Sequence, residues 1–462
     1  MSLEYDKSNP ISIEEHAKRL INMSFNDVLP DKFKNYKGKG NLGQFIEKYH
    51  FGYDLNSDKE ADFKEAGVEL KVSCFKQNKN KTYSAKERLV LSIINYMDVI
   101  EEQFETSSLI EKNKLLLLIY YLYDNEIKNK LDYIIKFAQL FEFPKEDIKI
   151  IKDDWVKIIN KIKDGKAHEL SEGDTLYLGA CTKGAGGNKD LRKQPCCDIK
   201  AKQRAFSLKQ SYMTHILRNY FIKGKKTYNN DSESIIKNLE VLKNNTFEDY
   251  IKNKVEEYKG KEVLKLCEEF DISTRAKNKN ANLILKILGV KGKKAKEFEK
   301  ANIEIKTIKL KNGKPKESMS FRTFKFKEVA NSKWEDSDFR NVLSESRFLF
   351  VIFNEDDNGV ERLETCMFWN MPIEDIENDV KEMWLRTKKI IKEGIQVEVV
   401  QRKKDTIRRN NLPKSTENRV AHVRPHGRDS KDTDVLPNGD EFTKQSFWLN
   451  KNYIYEQIKN RG

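Results

Sequence analysis

The sequence predicts an α/β protein that contains two copies of one domain in a single chain. Three pairs of similar segments support this prediction, because they occur in the same order in both halves of the chain. In one pair, AFSLKQSYMTHIL matches SFWLNKNYIYEQI; in another, WVKIINKIKDGK matches WLRTKKIIKEGI. The pairs begin, in order, at Asp62 and Glu297, at Trp155 and Trp384, and at Ala205 and Ser446.

The positions of the repeats predict the domain boundaries. We expect the first domain to span residues 1–222 and the second to span residues 271–462. The segment between them, residues 223–270, is rich in lysine and shows helix-like spacing of apolar residues in ESIIKNLEVLKNN and FEDYIKNKVEEYKGKEVLKLCEEF. It lacks the Gly, Ser and Pro content of a flexible linker, so we expect a helical connector.

The charge balance favours a polyanionic partner. Lys and Arg outnumber Asp and Glu by 87 to 73, which gives a net charge of +14. Nucleic acid or an acidic membrane would suit this balance, although a solvated, lysine-rich surface would produce it as well. The N-terminal MSLEYDKSNP lacks the apolar core of a signal peptide, and Leu115–Tyr123, the longest apolar run, is far shorter than the roughly 20 residues that cross a bilayer. We therefore expect a buried strand at Leu115–Tyr123, no membrane association and a cytoplasmic protein.

The six cysteines point away from a metal or disulfide framework. They form no C-x-x-C pair, and two of them, Cys196 and Cys197, are adjacent in the sequence. This pattern favours reduced thiols over zinc ligands or structural bridges.

An acidic cluster in the first half is the main candidate for a catalytic site. In AGVELKVSC, apolar residues alternate with Glu69 and Lys71, and a period of two predicts a strand that presents these two side chains on one face. Asp62 lies seven residues before Glu69 and can enter the same site from a preceding turn. Glu47 lies beside the apolar stripe of a predicted helix around residues 42–49 and can point towards the same place.

Three carboxylates and a lysine suit phosphodiester hydrolysis. Mg²⁺ prefers oxygen ligands and keeps several waters, so two or three carboxylates suffice to hold it. A lysine beside the metal can orient the attacking water or stabilise the transition state. The alternative is an exposed strand face, because a Glu-x-Lys triplet is common in a chain of which 35% of residues are charged.

The first half also resembles a known family. Residues 1–222 resemble the MutH family of mismatch-repair nicking endonucleases, and the whole chain is similar to the Sau-type restriction endonucleases, which cut at GATC. The stretches that carry the resemblance are FIEKYHFG, DFKEAGVELK, YSAKERLVLSIINY, GKAHELSEG and CTKGAGG through AFSLKQSYMTHILRNYF. The resemblance implies two tandem restriction-endonuclease-like α/β domains of the D-(x)n-E-x-K type that form a pseudo-dimer in one chain.

The activity implied is that of a type II restriction endonuclease. Such an enzyme would cut double-stranded DNA at a short palindrome, GATC, with Mg²⁺, and a cognate DNA methyltransferase would be its functional partner. Residue by residue, Asp62 and Glu69 match the family's metal ligands, Lys71 its catalytic lysine, and Glu47 the acid on the preceding helix, which makes it a third metal ligand. Lys86 matches a second basic residue near the scissile phosphate.

The resemblance also indicates which residues contact DNA. The family reads its site through the loop that corresponds to Cys181–Gly187, so Thr182 and Lys183 are the candidates for base contacts. Gly184 would let the loop enter the major groove, where a lysine can donate to guanine; contact with phosphate alone is the alternative for Lys183. Ser207 stands where MutH carries a tyrosine, and its smaller side chain suggests the hypothesis that the enzyme tolerates N6-methylated adenine.

The second copy differs at the positions that would bind metal. Glu297 replaces the aspartate, Glu304 and Lys306 retain the E-x-K order, and the region aligned with Glu47 reads LILK, with no acid. We expect such a site to bind Mg²⁺ poorly, and the resemblance implies a degenerate domain that binds DNA without cutting it.

The recognition loop of this second copy would contain Arg424 and His426, of which the arginine suits bidentate contact with guanine. A single active centre cuts one strand at a time, so double-strand cleavage would need two chains on the DNA or sequential nicking with rebinding. The second domain could hold another copy of the site and so raise the effective concentration. Two alternatives stay open: a MutH-type nicking enzyme of mismatch repair, and a non-catalytic tandem DNA-binding protein.

Overall fold

The computed structural model describes most of the chain and shows two compact units. The first unit comprises Met1–Phe247 and Lys294–Asn302, and the second comprises Glu248–Lys293 and Ile303–Gly462. The residues that the structure describes are 5–30, 42–53, 60–78, 81–184, 190–224, 234–276, 278–290, 292, 295–401 and 406–459.

Twenty strands lie within these ranges. The first nine are β1 Val68–Gln77, β2 Tyr83–Ala85, β3 Leu89–Ile93, β4 Leu115–Tyr123, β5 Ile134–Glu142, β6 Leu178–Thr182, β7 Leu191–Gln194, β8 Cys197–Lys202 and β9 Arg204–Leu208. The others are β10 Ile303–Lys311, β11 Lys314–Pro315, β12 Met319–Thr323, β13 Arg347–Glu355, β14 Glu361–Trp369, β15 Val397–Gln401, β16 Thr406–Asn410, β17 Ala421–Pro425, β18 Thr433–Val435, β19 Glu441–Thr443 and β20 Gln445–Leu449.

The α-helices of the same ranges number fifteen. They are α1 Pro10–Lys18, α2 Phe25–Val28, α3 Leu42–Phe45, α4 Ser108–Asn113, α5 Lys145–Lys163, α6 Gln210–Ile216, α7 Phe247–Glu256, α8 Val263–Glu269, α9 Lys279–Ile287, α10 Lys296–Ala301, α11 Phe326–Asn331, α12 Asp338–Glu345, α13 Ile373–Asp375, α14 Lys381–Glu393 and α15 Lys451–Lys459. Wider π-helical turns span Ile46–His50, Leu217–Phe221 and Ile376–Val380. Short 3₁₀ turns span Val99–Glu101, Phe104–Thr106, Lys130–Asp132, Ala167–Glu169, Glu172–Asp174, Leu239–Leu242 and Trp334–Asp336.

The two units repeat one topology, which confirms the predicted duplication. The first unit contains a four-stranded sheet in the order β2-β1-β4-β5, a three-stranded sheet β3-β9-β6 and a hairpin β7-β8. The second contains the corresponding sheets β11-β10-β13-β14 and β12-β20-β17 and the hairpin β18-β19, with an additional hairpin β15-β16. The predicted repeat pairs coincide with equivalent elements, namely α5 with α14 and β9-α6 with β20-α15.

The centre of the first unit is the parallel pair β1 and β4. The side chains of Leu116–Tyr120 on β4 are fully buried, so the prediction of a buried strand at Leu115–Tyr123 is confirmed. Glu69, the second residue of β1, pairs with Leu116. Val68, Glu69 and Leu70 are all buried, so the start of β1 lies within the core and not on an open sheet surface.

The predicted connector is helical only in part. The segment FEDYIKNKVEEYKGKEVLKLCEEF forms α7 and α8, as expected. The segment ESIIKNLEVLKNN contains only a 3₁₀ turn at Leu239–Leu242 among its described residues, so the helix predicted there is wrong. The backbone amides of Ile235 and Ile236 donate to the carboxylate of Glu297, and the apolar spacing reflects burial of Ile235 and Leu242. The boundaries predicted at 222 and 271 do not coincide with the observed units, since both units include part of 223–270.

Two further observations concern the whole described chain. All six cysteines are free. Within the part of the chain that the structure describes, no helix combines the length and the apolar character that a membrane-spanning helix requires.

A buried ion pair holds α10 in the first unit. Lys300 donates to both oxygens of Asp147, at 2.5 and 2.7 Å, and the side chains are 1% and 3% exposed. The hydroxyl of Tyr212 donates to the same carboxylate at 2.9 Å. Burial raises the pKa of Asp147, while the charge of Lys300 opposes this shift. Removing only the lysine would leave a carboxylate buried without its counter-ion.

We predict that Lys300→Met lowers the free energy of unfolding of the first unit by about 3–5 kcal/mol, because Asp147 stays buried and unpaired. Urea unfolding would measure the loss. A double variant with Asp147→Leu removes both charges and should lose less than Lys300→Met alone. A Lys300→Met protein as stable as the unsubstituted chain would contradict the prediction.

A second prediction concerns acid stability. His215 on α6 is 5% exposed, and burial, followed by the charge of Lys300, lowers its pKa from 6.5 to about 2. The folded state therefore binds fewer protons than the unfolded state between these values. The contribution of neutral His215 to the free energy of unfolding is complete above pH 6.5. It falls by roughly 1.4 kcal/mol per pH unit as the pH decreases towards 2. Between pH 7.5 and 5.5, the free energy of unfolding measured with urea should fall less for His215→Gln than for the unsubstituted chain. An equal decrease in both proteins would show that His215 does not cause this pH dependence.

Candidate active site

Glu69 is the most buried acid of the predicted cluster, with a side chain that is 3% exposed. One carboxylate oxygen, Oε1, accepts a hydrogen bond from Lys71 Nζ at 2.7 Å, and the other, Oε2, accepts one from the backbone amide of Asp62 at 3.1 Å. The carboxylate of Asp62 in turn accepts from the backbone amide of Leu70 at 2.9 Å. The structure thus brings Asp62, Glu69 and Lys71 together, and the alternative of an exposed strand face is wrong for Glu69.

A tight turn explains how Asp62 reaches Glu69. Phe63 and Val68 exchange backbone hydrogen bonds of 2.9 and 3.2 Å, which folds the segment between them back on itself. Gly67 closes the turn with φ +64°, a conformation that favours glycine. The sequence separation of seven residues therefore becomes direct contact.

Lys112 is a second cation of the site, and sequence reasoning missed it. It lies on α4, its Nζ is 3.6 Å from Glu69 Oε1, and its side chain is 18% exposed. The helix ends just before β4, and Leu116 of β4 pairs with Glu69, so strand pairing brings this lysine to the site. Its position before a predicted buried strand was the only sequence signal for it.

Lys86, the other predicted cation, lies elsewhere. Its backbone amide donates to the carbonyl of Cys74, five residues beyond Glu69 along β1, and its Nζ lies 4.1 Å from the ring centroid of Tyr123. Five residues of strand at about 3.3 Å each place Cys74 roughly 16 Å from Glu69. The structure therefore brings Lys112, and not Lys86, to Glu69, while the expected position of Lys86 near the scissile phosphate stays a prediction.

Glu47 approaches the other two acids from the turn Ile46–His50. Its pKa is raised to about 7, first by burial and then by the charge of Asp62, while Lys71 opposes the shift. Burial also raises the pKa of Glu69, again against the effect of Lys71. The Asp62 carboxylate is thus close enough to Glu47 and Glu69 to disfavour the charged form of both in a partly dry environment.

The donor set suits an oxygen-preferring divalent cation, but its ligands are not assembled into a closed site. Among the described residues, no three His, Cys, Asp or Glu side chains are grouped closely enough to form a ready-made metal site. Both oxygens of Glu69 are bound by Lys71 and the Asp62 amide. Burial, and after it the charge of Asp62, raises the pKa of Glu47, and a bound cation would stabilise such a carboxylate in its charged form. Mg²⁺ needs few direct protein ligands because it keeps several waters.

The predicted DNA-reading loop follows β6 in the first unit. Thr182 ends this strand with an exposed side chain, and the backbone amide of Lys183 donates to the carbonyl of Gln203 at 2.8 Å. Gly184 has φ +95°, and a Cβ atom there would collide with the side chain of Asp190. The remaining predicted loop residues, 185–187, lie outside the described residues.

The prediction that Ser207 contacts DNA is not supported. Ser207 lies on β9, paired with Val90 and Gly179, and is 1% exposed. Its hydroxyl lies beside Gly179, so it does not reach the surface of the free protein. The hypothesis about methylated adenine therefore loses its physical basis, since the added space would have to lie at an accessible position.

The second unit preserves the strand but not the acid cluster. Glu304 and Lys306 lie on β10, 3.3 Å apart, but the side chain of Glu304 is 37% exposed, whereas that of Glu69 is 3% exposed. Glu297 lies on α10 within the first unit, where its carboxylate accepts from Ser234 and from the amides of Ile235 and Ile236. It is therefore engaged as a cap for that segment.

A cationic cleft of about 900 Å³ lies on the second unit. Arg424, at the end of β17, lies with its guanidinium 5.2 Å from the ring centroid of Trp448, and His426 lies 5.2 Å from the same ring. Trp448 on β20 pairs with His422 on β17, as Ser207 on β9 pairs with Gly179 on β6 in the first unit. Trp448 therefore occupies the sheet position that Ser207 occupies in the first unit. The lining residues are Lys316, Glu317, Ser318, Thr323, Arg424, Pro425, His426, Gly427, Arg428, Asp432, Lys444, Trp448 and Lys451.

The fold and the acidic site together indicate a nuclease with the MutH-like, restriction-endonuclease-like fold. Residues 51–154 and 288–382 both match the family model described as DNA mismatch repair enzyme MutH, so each unit contains a MutH-like, restriction-endonuclease-like region. The chain is also 44% identical to the Type II restriction enzyme Sau3AI of Staphylococcus aureus, over 92% of this chain and 93% of that enzyme. The chain therefore belongs to the family of MutH-related type II restriction enzymes, and it is a DNA endonuclease.

Proposed function

We propose that this protein cleaves both strands of double-stranded DNA at GATC in a Mg²⁺-dependent reaction, and that the first unit alone contains the catalytic centre. The observation that carries the proposal is the buried Glu69 carboxylate, which contacts the Asp62 amide, Lys71 and Lys112. Glu47 lies close enough for the charge of Asp62 to raise its pKa. The proposed sequence GATC is supported by similarity over nearly the whole length to Sau3AI. A cognate DNA methyltransferase would protect the host genome.

The residues of the cluster have distinct roles in the proposed reaction. Asp62, Glu69 and Glu47 would hold the cation through carboxylate oxygens. When bound, Mg²⁺ supplies a water of lowered pKa and neutralises charge on the phosphate. Lys71 and Lys112, which now bind Glu69, would be freed to face the phosphate oxygens as negative charge develops there.

The second unit is proposed to bind DNA without cutting it. Glu304 lies more in solvent than Glu69, and Glu297 is held within the first unit by Ser234 and two amides. Lys306 also lies 4.8 Å from the ring centroid of Phe321, a contact that engages its charge. The cationic cleft supports DNA binding, because five lysine and arginine side chains line it beside only two acids.

Because each chain has one proposed active centre, cleavage of both DNA strands requires a second cutting step. We propose that two chains, or two DNA sites held by one chain, cooperate on the palindrome. The full-length duplication favours this over a MutH-type nicking enzyme, which remains the alternative within enzymes. A non-catalytic DNA-binding protein is disfavoured by the intact cluster at Asp62, Glu69 and Lys71.

Incubation of plasmid DNA with the protein and Mg²⁺ tests the proposal, since linear fragments ending at GATC, nicked circles and intact plasmid distinguish the three functions. Asp62→Asn and Lys71→Ala should each reduce the cleavage rate by about 100-fold or more, because the first removes a carboxylate ligand of the cation and the second removes a positive charge beside the reacting phosphate. Both variants should still bind a GATC duplex in Ca²⁺.

The second unit provides matched controls for these variants. Glu304→Gln and Lys306→Ala change the equivalent residues and should leave the cleavage rate unchanged. If either of them abolished cutting while Lys71→Ala did not, the assignment of the catalytic centre would be wrong.

Base recognition by the second unit can be tested in an Asp62→Asn background, which separates binding from cutting. Arg424→Ala should weaken binding of a GATC duplex by ~1–3 kcal/mol relative to a duplex without the sequence, because a bidentate arginine discriminates between bases. Trp448→Ala should act in the same direction, since it removes the ring beside Arg424. Fluorescence anisotropy would measure both.

The control is Arg386→Ala, which removes an arginine that is 50% exposed and pairs with Glu417 on the same unit but does not line the cleft. It should leave the discrimination unchanged. Equal weakening of both duplexes by Arg424→Ala would instead indicate contact with phosphate alone.

A further inference from the structure

Glu47 lies on a π-helical turn, and this turn is unusual in its backbone hydrogen bonds. The amide of Phe51 donates to the carbonyl of Ile46 at 3.1 Å, and the amide of Tyr53 donates to the carbonyl of Glu47 itself at 2.9 Å. Each such bond encloses at least one residue more than an α-helical bond, which rotates the following residues around the helix axis. The direction of the Glu47 side chain therefore depends on the π-turn being maintained.

Two histidines fasten the end of this turn to helix α1. His16 Nε2 lies 3.1 Å from the carbonyl oxygen of His50, and His50 Nε2 lies 3.0 Å from the carbonyl oxygen of His16. A carbonyl can only accept, so both rings must donate from Nε2. The rings stack with their centroids 4.2 Å apart. Each ring thus satisfies the backbone of the other residue.

Tyr5 completes the attachment. Its hydroxyl donates to the carbonyl of Phe51 at 2.9 Å, and its ring stacks on His16 with a centroid separation of 4.3 Å. The last carbonyls of a helix have no partners within the helix and need external donors. His16 supplies a donor at His50, the last residue of the Glu47 turn, and Tyr5 supplies one at Phe51, the residue after it. His16 is 8% exposed and stacked between the two other rings.

The second unit offers a natural comparison. The segment aligned with Glu47 reads LILK and lies on α9, which is α-helical from Lys279 to Ile287. Leu283 and Ile284 of this segment are fully buried in apolar contacts. The unit that lacks the acid thus has an ordinary helix at the aligned position, whereas the unit that carries the acid has the π-turn.

We propose that His16 is a positioning residue for the cation site, and that its hydrogen bonds with His50 hold the π-turn so that Glu47 faces Asp62 and Glu69. The inference rests on the proposed role of Glu47 as a cation ligand. His16 itself touches neither the cation nor DNA. Its effect is transmitted through the backbone of residues 46–50, in the way that partners of metal ligands orient those ligands.

The test is Mn²⁺ binding to the DNA-free protein, measured by electron paramagnetic resonance. His16→Leu keeps a side chain of similar bulk but removes the donor, and it should weaken Mn²⁺ binding by about tenfold or more. His16→Gln, which can place an amide N–H near the position of Nε2, should restore much of the affinity. Tyr5→Phe, which removes only one hydroxyl, should weaken binding in the same direction and provides a milder variant if His16→Leu does not fold.

His215→Leu is the matched control, because His215 is also buried in the first unit, at 5% exposed, and its side chain interacts with Asn219 and not with the Glu47 turn. It should lower the melting temperature without changing Mn²⁺ affinity. Unchanged Mn²⁺ affinity in His16→Leu would overturn the inference about His16 but would leave the proposed cation site intact. If the unsubstituted chain did not bind Mn²⁺, or if Asp62→Asn bound it equally well, both the inference and the proposed cation site would fail.

Discussion

The carboxylate of Glu69 is removed from water at the beginning of β1, and much of the first unit is arranged to compensate its charge. A buried carboxylate is tolerated only where donors and opposite charges surround it. The Asp62 amide and Lys71 provide these from the neighbouring turn and strand, and Lys112 provides its charge from a helix about 40 residues further along the chain. The turn closed by Gly67 and the parallel pairing of β1 with β4 are what bring them within reach.

The second unit shows that the fold does not require this arrangement. Both units have the same sheet order and the same parallel central pair, yet the second has no comparable burial of an acid at the start of its strand. Glu297 has become a cap for backbone amides, and the acid of the preceding helix is replaced by the apolar Leu283 and Ile284. The same sheet order forms in both units although only the first buries an acid at this position, so the fold itself does not depend on the acids.

Differences between the units also concern DNA recognition. Trp448 of the second unit occupies the sheet position of Ser207 in the first, and it supports Arg424 at the edge of a cationic cleft. In the first unit the equivalent serine is buried, and the loop that we expect to read DNA follows β6 and begins at Thr182 and Lys183. One topology thus places chemically different residues at equivalent positions, a partly exposed tryptophan in the second unit and a buried serine in the first.

The sequence alone determined the duplication, the strand at Leu115–Tyr123 and the grouping of Asp62, Glu69 and Lys71, because repeats, apolar runs and a period of two are local patterns. Only the tertiary structure decided that Lys112 and not Lys86 joins Glu69, since strand pairing between distant segments selects the neighbours. It also decided that Ser207 is buried and that ESIIKNLEVLKNN is not a helix, because packing and the carboxylate of Glu297 override local spacing. The π-turn that carries Glu47 has no sequence signature at all, since the donors that cap it come from residues more than 30 positions away.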